Sequence, residues 1–68
     1  MQLQIRKLRE KKGLTQRQLA EAVNLSFETI RSYEMGRITP SLQAAYAVAK
    51  ALDVSVTDLI EDDEPVGV

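Results

Sequence analysis

Between Gly13 and Pro40 the chain reads GLTQRQLAEAVNLSFETIRSYEMGRITP, and that stretch leaves few folds open. Thr15 stands where its hydroxyl can cap a helix, with Gln16 next to it at the open end. Leu19, Ala20 and Val23 then give that helix an apolar stripe. Asn24 and Leu25 form a turn, and Ser26 is placed to cap a second helix. Ile30 and Tyr33 are the inward residues expected of this second helix, whereas Phe27, Glu28, Arg31 and Ser32 point away. The spacing predicts two short helices joined by a tight turn, with polar side chains on the outer face of the second.

The flanking segments extend the helical pattern. A first helix is expected over about Gln2 to Lys12, with Ile5 and Leu8 facing inward and Met1 on the same stripe. Lys11 and Lys12 suit the negative end of its dipole, and Gly13 ends it in a left-handed conformation. Gly36 is expected to stop the helix that begins at Ser26 in the same way. A fourth helix starts at Pro40 and Ser41, capped either by Thr39 with Pro40 in the first turn or by Ser41 directly. Leu42, Ala45, Tyr46, Ala49 and Leu52 form its expected apolar face, and Asp53 ends it. Ser55 with Asp58 three residues on reads as a capping box for a fifth helix running to Ile60. No strand-like alternation of useful length is present. Residues 1–61 are therefore read as one domain, and residues 62–68, acidic and then carrying Pro65 and Gly67, as a flexible tail.

The net charge of −1 conceals a division. Residues 1–37 hold eight basic and four acidic side chains, a net +4, and residues 38–68 hold one basic and six acidic, a net −5. The basic half coincides with the two central helices, as a polyanionic partner requires. Nothing approaches the ~18 consecutive apolar residues of a membrane span, and the polar start lacks a secretory segment, so a cytoplasmic protein is expected. With no His and no Cys, the usual general bases, thiol nucleophiles and zinc ligands are missing. The acids Glu61-Asp62-Asp63-Glu64 lack the ligand spacing of a calcium loop. No enzyme activity, cofactor or metal is expected.

Two helices in this arrangement make a helix-turn-helix, whose second helix commonly reads duplex DNA in the major groove. The whole order of segments resembles the lambda-repressor-like domains of Cro/CI or Xre type over about residues 4–61. The segments that carry the likeness are Ile5-Arg6-Lys7-Leu8-Arg9, Gly13-Leu14-Thr15-Gln16 with Leu19-Ala20, Ile30-Arg31-Ser32-Tyr33-Glu34 with Gly36 and Pro40, and Ala49-Lys50-Ala51-Leu52 with Val54. Asn24 and Asp53 stand where that family usually has Gly; both tolerate a left-handed backbone. The resemblance implies an all-α, compact bundle of about five short helices and sequence-specific binding to double-stranded DNA by a transcriptional regulator, most readily a repressor. A bacterial or phage-encoded regulator, a restriction-modification controller or an antitoxin with a protein partner would each look like this.

Base contacts are expected from Phe27, Glu28, Arg31 and Ser32, and phosphate contacts from Gln16, Arg17, Thr29 and Arg37. The Gln16 phosphate contact is implied by the resemblance. Phe27, an apolar side chain at an exposed helix start, suits a thymine methyl, unless the ring folds back onto the domain. Glu28 can accept from a cytosine amino group or act on the helix dipole. Arg31 can meet a guanine or a phosphate, or pair with Glu28 or Glu34. Arg17 can meet a phosphate or only solvate its helix; Arg6, Arg9 and Lys12 are left to the general field. Val54, Val56, Leu59 and Ile60 exceed what one short helix needs to cover its own core. Whichever of Val56 or Ile60 stays outside would make a small symmetric patch, so a weak homodimer on a palindromic operator is expected, unless all four simply close the bundle.

Overall fold

Four helices of this chain end in the same backbone device. In the computed structural model, which describes residues 2–61, α1 spans Ile5–Lys12, α2 Gln16–Val23, α3 Phe27–Glu34 and α4 Leu42–Ala51. After them come Gly13, Asn24, Gly36 and Asp53, with φ of 82°, 59°, 75° and 59°. In each case the next N–H returns to a carbonyl five residues back: Leu14 to Arg9 at 3.0 Å, Leu25 to Ala20 at 2.9 Å, Arg37 to Ser32 at 2.9 Å and Val54 to Ala49 at 3.0 Å. These are Schellman closures, which satisfy the last carbonyls of a helix and reverse the chain. Leu14, Leu25 and Val54 use the reversal to pack on the core. Asn24 and Asp53 thus serve as the glycines do.

The opposite ends of α2, α3 and α4 are capped as the sequence indicated. Thr15 accepts from the Gln18 N–H at 3.0 Å while the Gln18 side chain accepts from the Thr15 N–H at 2.8 Å. Ser26 accepts from Thr29 N–H at 3.1 Å. Of the two caps open for α4, Ser41 is the one used, accepting from Ala44 N–H at 3.1 Å. Ser55 and Asp58 form the capping box of α5, Val56–Leu59. Each such cap contributes about 1 kcal/mol, which matters for helices of four to ten residues that are marginal alone.

The core takes at least one side chain from every helix: Ile5 from α1, Leu19 and Ala20 from α2, Ile30 from α3, Val48 and Ala49 from α4, and Leu59 from α5, joined by Leu52. Ile5, Leu19, Ile30 and Val48 are fully buried. Burial of each such aliphatic side chain is worth about 1.5–3 kcal/mol. The five-helix, all-α bundle is therefore the fold, as expected.

Three local expectations are corrected. The first helix begins at Ile5 rather than Gln2, because no side chain caps it at Gln4 and the preceding backbone finds another partner. Gln2–Leu3 (β1) pairs antiparallel with Ile60–Glu61 (β2), and the Gln4 N–H donates to the Leu59 carbonyl at 2.7 Å. The fifth helix accordingly stops at Leu59, where Ile60 turns extended. The inward face of α4 is Ala45, Val48, Ala49 and Leu52, while Leu42 and Tyr46 are 68% and 59% exposed. Of Val56 and Ile60, Val56 packs on the core and Ile60 stays outside. Met1 and the acidic tail, residues 62–68, lie outside the described residues.

Candidate nucleic-acid interface

The outer face of α3 follows from the position of Ile30. At 3.6 residues per turn, Glu28 and Ser32 lie roughly opposite Ile30, with Arg31 and Thr29 on the two flanks. Glu28 and Arg31 are exposed, and Thr29 and Ser32 half-buried. Neither Glu28 nor Arg31 has an ion-pair partner among the described residues. Glu34, one of the two expected partners for Arg31, is engaged elsewhere. The hydroxyl of Thr29 is 2.8 Å from that of Ser26, tied to the cap of its own helix.

Phe27 is not the freely exposed ring that the sequence suggested. It is half-buried, yet it is not one of the side chains packed on the core. Over its ring lies Arg17 of α2, whose guanidinium carbon is 4.6 Å from the centroid. The first two residues of α2 therefore reach both ends of α3. Arg17 meets Phe27 at the start, and the Gln16 amide donates to the Glu34 carboxylate at the end, at 2.9 Å. Gln16 is half-buried, and Arg37, just past α3, is exposed.

Arg9 was assigned to the general basic field, and this too is corrected. It is 8% exposed. Its Nε and Nη2 donate to the two oxygens of Glu34 at 2.7 and 3.1 Å, and its Nη1 donates to the Leu14 carbonyl at 2.7 Å. The Glu34 hydrogen bonds raise the Arg9 pKa by more than burial lowers it. The signal was present in the sequence: Arg9 lies four residues after Ile5, and Glu34 four after Ile30, so each shares its helix face with a core residue. Arg9 and Glu34 cancel each other, so the +4 of residues 1–37 is carried by the other side chains. Arg6, by contrast, makes only a solvent-exposed pair with Glu10 at 3.3 Å, of little energetic weight.

A turn closed by Asn24 between two capped helices, a polar outer face on the second and, around it, arginines with no ion pair among the described residues are the parts of a DNA-reading unit. A helix-turn-helix family model matches residues 5–59. The chain belongs to the Cro/CI-type, Xre-like helix-turn-helix family of transcriptional regulators. An uncharacterized HTH-type transcriptional regulator of Archaeoglobus fulgidus is 43% identical over 65 residues, covering 94% of this chain and 93% of that one. The immunity repressor protein of Bacillus phage phi105 is 39% identical over 59 residues, which is 87% of this chain and 41% of the repressor. Among solved structures, SinR, the master regulator for biofilm formation, in complex with DNA superposes with a TM-score of 0.78 at 34% identity, over 84% of this chain and 92% of that one. Among the described residues no helix is long and apolar enough to cross a membrane.

Proposed function

We propose that this regulator is a repressor that binds a palindromic duplex operator as a weak homodimer, with α3 in the major groove. The outer face of α3 carries the reading: Glu28, Arg31 and Ser32 stand opposite or beside the buried Ile30, and neither charged group is neutralised by a neighbour among the described residues. Arg31 presents the bidentate donors that guanine accepts, Glu28 an acceptor for cytosine N4, and Ser32 a hydroxyl for either. Gln16, Thr29 and Arg37 face the phosphates. Glu34 holds the Gln16 amide in place before DNA arrives, which lowers the entropy lost on binding. The likeness to a phage immunity repressor supports repression, and a regulator of this kind works in the cytoplasm of a cell or of a phage's host.

A homodimer is supported by apolar surface away from α3. A groove of about 220 Å³ lies between the start of α4 and the end of α5, lined by Leu3, Pro40, Leu42, Val56 and Ile60 among others. Leu42 at 68% and Ile60 at 37% exposure flank it. One α3 reads only a few base pairs; two related by a two-fold axis read half-sites ~34 Å apart.

Selection of bound sites from random duplex DNA, followed by affinity measurements across salt concentrations, tests this reading. The expected result is an enriched, two-fold symmetric site whose affinity falls steeply with salt as counterions are released. No enriched site at low salt, or a flat salt response, removes it.

A further inference from the structure

Arg17 and Phe27 stand ten residues apart on different helices, and their contact has consequences beyond the assignment of single residues. Arg17 is the second residue of α2 and Phe27 the first of α3. The 4.6 Å approach of the guanidinium to the ring brings a cation from α2 to the start of α3. The ring quadrupole attracts a guanidinium lying over its face. A contact made through the central carbon leaves the N–H donors at the rim of the guanidinium unspent, five in number and fixed in one plane. No carboxylate among the described residues takes them.

We propose that Arg17 and Phe27 form one reading unit. The ring holds the guanidinium so that its donor rim takes O6 and N7 of a guanine, one step from the thymine whose methyl group meets the ring. A guanidinium already held in one orientation loses less freedom when its fork meets the paired acceptors of a guanine, and the ring supplies that hold. Guanine offers two acceptors side by side in the major groove, and the thymine methyl is the apolar group there. The proposal rests on α3 lying in the major groove.

The test is site selection run in parallel on the intact chain, Arg17→Ala, Arg17→Lys, Phe27→Leu and the double variant Arg17→Ala with Phe27→Leu. Circular dichroism checks that each variant folds, which is expected because Arg17 is exposed and Phe27 lies off the core. In the intact chain each half-site carries a guanine next to a thymine. Arg17→Ala loses the preference for that guanine by about ten-fold or more, the scale of a bidentate contact, and keeps the other positions. Arg17→Lys does not restore it. Phe27→Leu keeps apolar surface for the thymine yet loses the same guanine preference, and the double variant is no worse there than either single one. Without DNA, the side-chain protons of Arg17 show an upfield ring-current shift by NMR that Phe27→Leu abolishes. Uniform weakening of all duplexes by Arg17→Ala assigns the residue to a phosphate and overturns the proposal. So does an unchanged guanine preference in Phe27→Leu, or the absence of a ring-current shift. An intact chain that enriches no site removes the major-groove reading beneath it, a failure separable from these because it precedes any substitution.

Discussion

The Arg9 guanidinium and the Glu34 carboxylate lie 25 residues apart in sequence and 2.7 Å apart in space. The pair closes α1 onto α3 from the core side, and both side chains are nearly excluded from solvent, at 10% and 3% exposure. The third oxygen contact comes from Gln16 at the head of α2. One carboxylate therefore ties together α1, α2 and α3. Buried ion pairs of this kind seldom add much net stability, because desolvation offsets the attraction, but breaking one is expensive.

Arg9→Met should destabilise the domain by about 3–5 kcal/mol, because Glu34 is left buried without its cation. Arg9→Met combined with Glu34→Leu should recover most of that loss, since no orphaned charge remains. Urea unfolding of the three proteins measures it; equal losses in the single and double variants would contradict the account. The pH dependence has a definite sign. Glu34 raises the Arg9 pKa above an already high ordinary value. The stabilisation is thus complete below the unfolded-state pKa and is lost only as pH rises through the folded one. Between neutral and mildly alkaline pH this pair should leave stability unchanged.

The left-handed joints make a second, purely conformational prediction. A side chain added at Gly36 meets nothing within 4 Å, so its glycine is required by φ +75° alone. Gly36→Ala should then cost about 1–2 kcal/mol, the strain of an ordinary residue in that region. Gly36→Asn should cost much less, because this chain already uses Asn24 at φ 59° in the same closure. Asn24→Gly should be neutral or slightly stabilising, and Asn24→Val should be the worst of the set, being β-branched. Melting temperatures of the four variants order them; a Gly36→Asn variant as weak as Gly36→Ala would show a cost other than backbone strain.

These joints were legible in the sequence, as were the caps, because each depends on one residue type at one position. The α3 face was legible for the same reason: Ile30 alone sets its rotation. The face of α4 was not, because alanines at 44, 45, 47, 49 and 51 make several rotations look alike, and Val48 decides among them only through packing. A two-residue ladder between β1 and β2 is too short to show alternation. The Arg9–Glu34 pair was hidden by the habit of counting charges as surface. Phe27 was read as bare because Arg17, which lies over its ring, belongs to another helix.

Contacts to bases and to phosphates should separate in a mutation series. Arg31→Ala should cost about 1–3 kcal/mol on the preferred duplex and relax the preference at one base pair. Arg37→Ala should weaken all duplexes evenly and lower the slope of log affinity against log salt by about 1. Binding isotherms on the selected site and on a scrambled duplex, each at several salt concentrations, distinguish the two. The same pattern for both variants would place Arg31 on the phosphate backbone.

The apolar strip beside α4 and α5 gives the prediction about assembly. A stable complex ordinarily buries ~1,200–2,000 Å², whereas the groove's large exposed apolar side chains are only Leu42 and Ile60. Association in free solution should therefore be weak. On a palindromic duplex the two copies share one ligand, which raises their effective concentration and tightens the contact. Leu42→Lys places a charge at the rim of the groove, at a position exposed enough that folding is spared. It should convert cooperative two-per-duplex binding into independent filling of the half-sites. Tyr46→Lys is the control, because Tyr46 is comparably exposed on the same helix but does not line that groove; it should leave cooperativity intact. Sedimentation with and without a palindromic duplex reads all three proteins. An intact chain that stays one per duplex on its best site, or equal behaviour of the two lysine variants, would take the homodimer seat away from this groove.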